Sequence, residues 1–180
     1  MNPVNVRLAA KLLDGSETAV CSVVGFPLGA TTSQAKVFEA EEAIRNGASE
    51  IDMVANIGAL KSGRLDDVRG DMELVFASVK GKGMILKVII EACFLTNEEK
   101  VNICLLAKDI GVDFVKSSTG FAEGAKAEDI RLMRKTVGNS MGVKAAGGIR
   151  SYSDAMMMIE AGASRIGTSS GVKIIEESPE

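Results

Sequence analysis

The sequence predicts an α/β fold in which parallel β-strands alternate with α-helices. Short apolar runs of four to eight residues alternate with longer amphipathic stretches along the 180-residue chain. A parallel strand that is buried on both faces has this kind of uninterrupted apolar run. A gapless internal repeat supports the same order of elements, because a helix end, a glycine and a strand follow one another three times.

The six apolar runs are predicted to be the strands of one sheet. They are residues 19–26, 50–55, 84–91, 114–117, 142–146 and 165–168. Apolar residues recur three and four positions apart in the stretches around them, which is typical of amphipathic helices. These helices are predicted at about residues 4–13, 33–46, 65–79, 97–110, 127–137, 153–161 and 170–176. The length of the chain favours a single domain over residues 1–180.

The internal repeat aligns residues 46–52, 110–116 and 161–167. Its glycine suits the left-handed residue that follows a helix, and the next residues make a tight connection to the strand. Five residues after the glycine come Asp52, Lys116 and Gly167. The carboxyl ends of parallel strands are where such folds bind ligands, so the repeat places three unusual residues at a candidate site.

Composition excludes several classes of function. The chain has no His and no Trp, which excludes Ser-His-Asp systems and metal sites built on imidazole. A net charge of -3 without a basic block predicts no nucleic-acid partner. No apolar run is long enough for a membrane helix, and no signal sequence is evident. Cys21, Cys93 and Cys104 lack metal-ligand spacing, and we expect them to be reduced core residues of a cytoplasmic protein.

Three predicted strands carry a lysine where an apolar residue is expected, namely Lys87, Lys116 and Lys144. Burial of an ammonium group is costly unless it is paired or neutral. With Asp52 and Glu91, the lysines could share one pocket, where repulsion between them yields a neutral amine that attacks a carbonyl. Alternatively, each lysine reaches water at a strand end or forms a structural ion pair. Lys87 is the weakest candidate and could pair with Asp52 or Glu91.

Two glycine-rich stretches each follow a strand and precede a helix, at residues 146–150 and 167–171. Small residues let backbone N–H groups approach an anion there, and serine hydroxyls add further donors. The last two strands of (β/α)8 barrels commonly hold phosphate in this position. Ordinary turn glycines are the alternative interpretation, and two consecutive stretches favour phosphate.

Five segments together closely resemble the deoxyribose-phosphate aldolases, a class I aldolase family. They are EIDMV at 50–54, LKVIIE at 86–91, FVKSSTGF at 114–121, VKAAGGIR at 143–150 and GTSSG at 167–171. The match runs from about residue 2 to residue 175. The resemblance implies a TIM (β/α)8 barrel that reversibly cleaves 2-deoxy-D-ribose 5-phosphate to D-glyceraldehyde 3-phosphate and acetaldehyde. It also implies that no metal and no organic cofactor take part.

The resemblance also implies roles for individual residues. Lys116 is similar to the Schiff-base lysine, Lys144 to a second lysine beside it, and Asp52 to a carboxylate that relays protons with Lys144 and water. The residues similar to the phosphate-binding set are Gly120, Gly147, Gly148, Gly167, Ser169 and Ser170, with Arg150 nearby. We also count Lys87 among the substrate-binding residues.

The chain differs from the family in length, because a barrel has eight strands and about 250 residues. Six strands are predicted here, so the two N-terminal strands of the barrel and an acidic residue of its substrate pocket are expected to be missing. We expect this length to be less stable, to self-associate or to be less active than a version with the upstream residues restored. Equal melting temperatures and turnover for the two lengths would contradict this expectation.

Two other functions stay open from the sequence. One is a Schiff-base aldolase of the transaldolase type with a different sugar phosphate as substrate. The other is a catalytically silent phosphosugar-binding fragment, which the missing strands favour. In each case the expected partner is a small sugar phosphate, and the protein is expected to be a homo-oligomer without a membrane or nucleic-acid partner.

Overall fold

Strands and helices alternate along the computed structural model, which describes residues 1–179. The strands are β1 (Cys21–Val24), β2 (Glu50–Val54), β3 (Ile85–Ile89), β4 (Phe114–Lys116), β5 (Gly142–Ala146) and β6 (Arg165–Gly167). The helices are α1 (Val6–Leu12), α2 (Ser33–Arg45), α3 (Ile57–Lys61), α4 (Leu65–Lys80), α5 (Asn97–Ile110), α6 (Ala127–Val137), α7 (Tyr152–Glu160) and α8 (Gly171–Glu176). Single turns of 3-10 helix occupy Pro3–Asn5 and Ala92–Phe94.

The strands form one sheet in the order β1-β2-β3-β4-β5-β6, and the recorded pairs are parallel. Strands that neighbour each other in chain order and are connected through helices make the right-handed βα units of a barrel. The predicted fold class is therefore confirmed: this is a TIM-barrel-type α/β fold, with six strands among residues 1–179. Within the described residues, no helix combines the length and apolarity that crossing a bilayer requires.

The predicted element boundaries lie within two residues of the observed ones. The prediction missed α3, whose five residues are too short to show helical periodicity. Its signal is the N-cap, because the side chain of Asn56 accepts a hydrogen bond from the backbone N–H of Ala59. The three repeat glycines are left-handed as predicted, with φ values of +104° at Gly47, +89° at Gly111 and +108° at Gly162.

The three cysteines are free thiols, but they are not equally buried. Cys104 is buried on α5, and burial raises the pKa of its thiol to about 12. Cys21 and Cys93 are half-buried, so the prediction that all three are core residues is wrong for these two. Cys21 lies at the start of β1, where it contacts polar side chains.

The chain divides into two compact units. The first contains residues 1–88 together with 110–113, and so β1, β2, most of β3 and helices α1 to α4. Helix α2 packs on α4 through a fully buried ion pair between Lys36 and Asp71. The Lys36 ammonium also donates to the carbonyl of Val54 at 2.9 Å, and the hydroxyl of Ser33 donates to Asp71 at 2.8 Å. This network joins both helices to the carboxyl end of β2.

The second unit contains residues 89–109 and the chain from Phe114 onward, and so β4, β5, β6 and helices α5 to α8. An ion pair between Lys100 and Asp129, both almost fully buried, links α5 to α6. The guanidinium of Arg134 donates to the carbonyls of Gly138, Met141 and Gly162. These hydrogen bonds satisfy backbone carbonyls at the end of α6 and in the connection before β6. They fix the connections before β5 and β6.

Candidate active site

A pocket of about 420 Å³ lies in the second unit, at the carboxyl ends of β4, β5 and β6. Eight of the eleven predicted site residues line it: Lys116, Gly120, Lys144, Gly147, Gly148, Arg150, Gly167 and Ser169. Thr119, Ala146, Ile149 and Thr168 complete the lining. The pocket thus contains two of the predicted lysines, the whole glycine-rich stretch at residues 146–150 and the first three residues of the stretch at 167–171.

Lys116 and Lys144 stand side by side on neighbouring strands. They are register partners in the parallel pair of β4 and β5, and neighbouring strands lie about 4.8 Å apart. Residues paired in this way project from the same face of a sheet. Lys116 is only 7% exposed, whereas Lys144 is half-buried. The geometry therefore brings a buried amine and a second, more accessible amine into one pocket.

Gly167 leaves room for the side chain of Lys144. A Cβ atom at this position would lie 3.2 Å from Cε of Lys144 and 2.9 Å from Cβ of Ala146. Gly167 is the register partner of Ala146 in the pair of β5 and β6. Its lack of a side chain thus has a packing reason, whether or not it also binds phosphate.

The loops after β4 and β5 touch through their backbones. The N–H of Ala125 donates to the carbonyl of Gly147 at 3.0 Å, and a Cβ at Gly124 would lie 2.6 Å from that same oxygen. Gly147 and Gly148 both have left-handed backbones, with φ of +88° and +76°. The left-handed backbone and the close approach of the two loops already require glycine at these positions. The alternative interpretation, that these are ordinary turn glycines, therefore also explains them.

The loop after β6 carries the serines of the second glycine-rich stretch. Ser169 is exposed and lines the pocket, whereas Ser170 is the N-cap of α8 and is not among the lining residues. Thr168 orders the loop, because its hydroxyl donates to the carbonyl of Ile149 at 2.7 Å and accepts from the N–H of Ser170 at 2.9 Å. Thr168 is therefore a functional residue that the sequence pattern does not predict.

Arg150 is exposed at the pocket, directly before the capping box of α7. Its backbone N–H donates to the carboxylate of Asp154 at 3.0 Å, and the N–H of Ser151 donates to the same oxygen at 3.1 Å. The backbone hydrogen bond from Arg150 is the main cause that lowers the pKa of Asp154, and the side chain of Ser151 is the next. The helix cap therefore fixes the backbone from which the Arg150 side chain projects.

Asp52 and Lys87 belong to a polar cluster in the first unit and do not line the pocket. The ammonium of Lys87 lies 2.6 Å from Oε2 of Glu50 and 2.8 Å from Oδ1 of Asp52. It also donates to Sγ of Cys21 at 3.4 Å. The ion pair with Asp52 that the sequence suggested is present. Glu91, the other partner considered, has its carboxylate on Thr119.

Glu50 and Cys21 were not predicted as members of the cluster around Lys87. Glu50 had a signal in the sequence, since it is a charged residue at the start of an apolar strand. It is the register partner of Cys21 in the pair of β1 and β2, which brings both toward Lys87. This pairing depends on strand register, which the sequence pattern alone does not give.

Lys87 is expected to stay charged at neutral pH. Burial lowers the pKa of its ammonium, but the charge of Asp52, the Cys21 thiol and the hydrogen bond to Glu50 together outweigh burial and raise the pKa above 10.5. The ion pairs therefore stabilise the fold fully below the ordinary lysine pKa and are lost as pH rises through the folded value. An ammonium cannot attack a carbonyl, which argues against Lys87 as the nucleophile.

We predict that the ammonium of Lys87 titrates at a higher pH than an exposed lysine of the same protein, because its pKa is raised. The measurement is the Cε chemical shift followed by NMR across alkaline pH, with the signal assigned by its absence in Lys87→Arg. Exposed Lys82, on the turn before β3, is the reference in the same sample. An inflection for Lys87 at or below that of Lys82 would contradict the prediction.

Comparisons with known proteins agree on one family. Residues 4–177 match the family model described as DeoC/LacD family aldolase. The deoxyribose-phosphate aldolase of Clostridium tetani is 56% identical over 179 residues, which cover 99% of this chain and 82% of that protein. The deoxyribose-phosphate aldolase of Thermococcus gammatolerans is 59% identical over 179 residues, which cover 98% and 80%.

A solved structure shows the same fold. The tetrameric deoxyribose phosphate aldolase of Aeropyrum pernix superposes with a TM-score of 0.90 at 33% identity, over 97% of this chain and 74% of that one. The predicted resemblance is therefore confirmed by sequence and by structure.

Proposed function

This chain belongs to the DeoC/LacD aldolase family, and we propose that it reversibly cleaves 2-deoxy-D-ribose 5-phosphate to D-glyceraldehyde 3-phosphate and acetaldehyde. The observation that carries the proposal is the pair of neighbouring lysines, Lys116 and Lys144, in one pocket with the two glycine-rich stretches. A carbonyl substrate can form an imine with one amine while the second amine exchanges protons with it.

Lys116 is the proposed nucleophile. Its neutral amine adds to the C1 aldehyde of the open-chain sugar, and the carbinolamine loses water to form an imine. Once protonated, the imine accepts the electron pair of the breaking bond. The products contain three and two carbons, so this bond is C2–C3. The proton of the C3 hydroxyl leaves as D-glyceraldehyde 3-phosphate forms. The remaining enamine is protonated at C2, and water releases acetaldehyde and the free amine.

Lys144 is the proposed proton carrier for these steps. It is half-buried in the same pocket, one strand away from Lys116, so it can exchange protons both with the substrate and with water. Asp52 is proposed to take part in this relay on the basis of the resemblance. Neither a metal nor an organic cofactor is needed for any step of the proposal.

The glycine-rich stretches are proposed to bind the phosphate. Gly147, Gly148 and Gly167 line the pocket, where their backbone N–H groups are proposed to donate to the anion. Ser169 can add a hydroxyl donor and Arg150 a positive charge. Ser170 is proposed to contribute to phosphate binding from the N-cap position of α8. Substrate would then extend from Lys116 toward the loops that follow β5 and β6.

Trapping of the imine tests the proposal. Acetaldehyde and borohydride should attach an ethyl group to one lysine, and peptide mapping should find it on Lys116. Turnover of 2-deoxyribose 5-phosphate beside other sugar phosphates separates this function from a transaldolase type. Binding of the sugar phosphate without cleavage and without an adduct would instead identify a silent binding protein.

The variant Lys144→Leu is predicted to lower turnover by about 10²- to 10⁴-fold, because loss of a general acid or base has this effect. Leucine keeps most of the apolar volume, so the melting temperature should change little. Exposed Lys135→Leu on α6 is the matched control and should retain activity. Turnover that is the same in both variants would rule out Lys144 as the proton carrier.

We also propose that the protein forms a homo-oligomer, as the Aeropyrum pernix relative does. Sedimentation equilibrium measures its mass in solution directly. A mass equal to that of one 18.9 kDa chain across micromolar concentrations would contradict this proposal.

A further inference from the structure

Glu91 has an unusual backbone at the carboxyl end of β3. Its φ and ψ are +48° and +64°, in the left-handed region. Among residues 1–179, every other residue with positive φ is a glycine. A side chain with a Cβ is strained in this conformation, and such strain tends to occur at functional sites. The surroundings of Glu91 therefore have to hold it there.

The backbone on both sides of Glu91 is attached to β4 and its extension. The N–H of Ile90 donates to the carbonyl of Lys116 at 3.0 Å, and the N–H of Ala92 donates to the carbonyl of Ser117 at 2.8 Å. The carbonyl of Glu91 accepts from the N–H of Phe94, the last residue of the 3-10 turn before α5. Glu91 thus lies directly beside the segment that carries Lys116.

The side chain of Glu91 accepts hydrogen bonds from one residue of that segment, Thr119. It is 3% exposed, and its two carboxylate oxygens accept from the backbone N–H of Thr119 at 3.1 and 3.3 Å. The hydroxyl of Thr119 also donates to the carboxylate. A buried carboxylate therefore fixes both the backbone and the side-chain rotamer of Thr119.

Thr119 transmits this constraint to the pocket. It lines the pocket three residues after Lys116, and its hydroxyl oxygen accepts from the N–H of Phe121 at 3.1 Å. Gly120, between Thr119 and Phe121, also lines the pocket. Without the carboxylate, the Thr119 hydroxyl and N–H would lose their acceptor and the loop would lose its anchor.

We propose that Glu91 is a positioning residue for the aldolase reaction, acting through Thr119 to hold the pocket wall that follows Lys116. This inference rests on the proposed function. A carboxylate suits the role because it offers two acceptor oxygens to the N–H and O–H of Thr119. A glutamine amide offers one acceptor, and its NH2 group would face a donor.

Three variants separate positioning from a merely structural role. Glu91→Gln keeps the shape and weakens the anchor, and Thr119→Val removes the hydroxyl with little change in volume. Glu91→Gly removes the carboxylate but also relieves the left-handed strain. Exposed Glu98→Gln, in the first turn of α5, is the matched control. Each is compared with wild type in kcat, KM, melting temperature and hydrogen exchange of the Thr119 amide.

We expect Glu91→Gln and Glu91→Gly to lower kcat by about 10- to 100-fold, as misplaced reacting groups do, with a smaller change in KM. The Thr119 amide should exchange faster in both. Glu91→Gly should lose kcat even where its melting temperature is equal to or above that of wild type. The double variant Glu91→Gln with Thr119→Val should have a kcat no lower than that of the more impaired single variant, because both substitutions break the same contact.

Wild-type kcat in Glu91→Gly or Glu91→Gln would overturn the inference, as would strictly additive losses in the double variant. These results leave the aldolase function itself intact, because wild type still turns over substrate. Wild-type protein without turnover and without an imine adduct would instead remove the proposed function, and this inference with it.

Discussion

Lys116→Leu should abolish both imine trapping and turnover. Removal of a covalent nucleophile lowers turnover by roughly 10⁴- to 10⁶-fold in enzymes where it has been measured, and no second amine on β4 can replace it. Lys116 is 7% exposed, and leucine is smaller than lysine and brings no charge into the site, so the fold should be kept. The measurement is the ethyl adduct by mass spectrometry after acetaldehyde and borohydride, together with turnover of 2-deoxyribose 5-phosphate.

Lys135→Leu, on the exposed face of α6, serves as the control and should label and turn over like wild type. An adduct of unchanged yield in Lys116→Leu would move the nucleophile to another lysine, and peptide mapping would identify it. Melting curves of both variants separate lost chemistry from lost structure.

Asp71→Ala should destabilise the protein by about 3–5 kcal/mol, because it leaves the fully buried ammonium of Lys36 without its carboxylate. Ser33 on α2 loses an acceptor as well. Chemical denaturation in urea measures the free energy of unfolding. Glu73→Ala on the same helix removes only an exposed ion pair with Arg69 and should change stability by less than about 1 kcal/mol.

The double variant Lys36→Met with Asp71→Leu distinguishes pairing from packing. Replacement of both charges by apolar groups should recover part of the loss, since no unpaired charge stays buried. The carbonyl of Val54 still loses its donor, so recovery is not expected to be complete. A double variant less stable than Asp71→Ala would contradict this account of the pair.

The sequence predicted the fold well because its signals are local. Each strand is an apolar run, and each repeat glycine marks the end of a helix, as the left-handed Gly47, Gly111 and Gly162 show. Helix α3 was not predicted, because five residues are too few to show the helical period of apolar residues. The half-buried Cys21 and Cys93 were misjudged because the exposure of a thiol depends on its neighbours in space.

The composition of the pocket could be predicted where its residues lie in strands or directly after them. Lys116, Lys144 and the glycines all meet this condition. The contact between Glu91 and Thr119 could not be predicted, because it depends on a left-handed glutamate that no local pattern indicates. Nor can a pattern tell a glycine that admits an anion from one that admits a neighbouring side chain, as at Gly167.

The backbone contact between Gly124 and Gly147 restricts how the substrate range of this enzyme can be redesigned. A Cβ atom at Gly124 would lie 2.6 Å from the carbonyl oxygen of Gly147, and one at Gly147 would lie 3.1 Å from Cα of Gly124 on a left-handed backbone, so libraries at these positions should yield few folded proteins. Gly120 has no atom within 4 Å of an added Cβ, and at Gly148 the nearest lies at 3.6 Å. Asparagine, which tolerates left-handed backbone, is the substitution with which to begin reshaping the pocket mouth at these two sites.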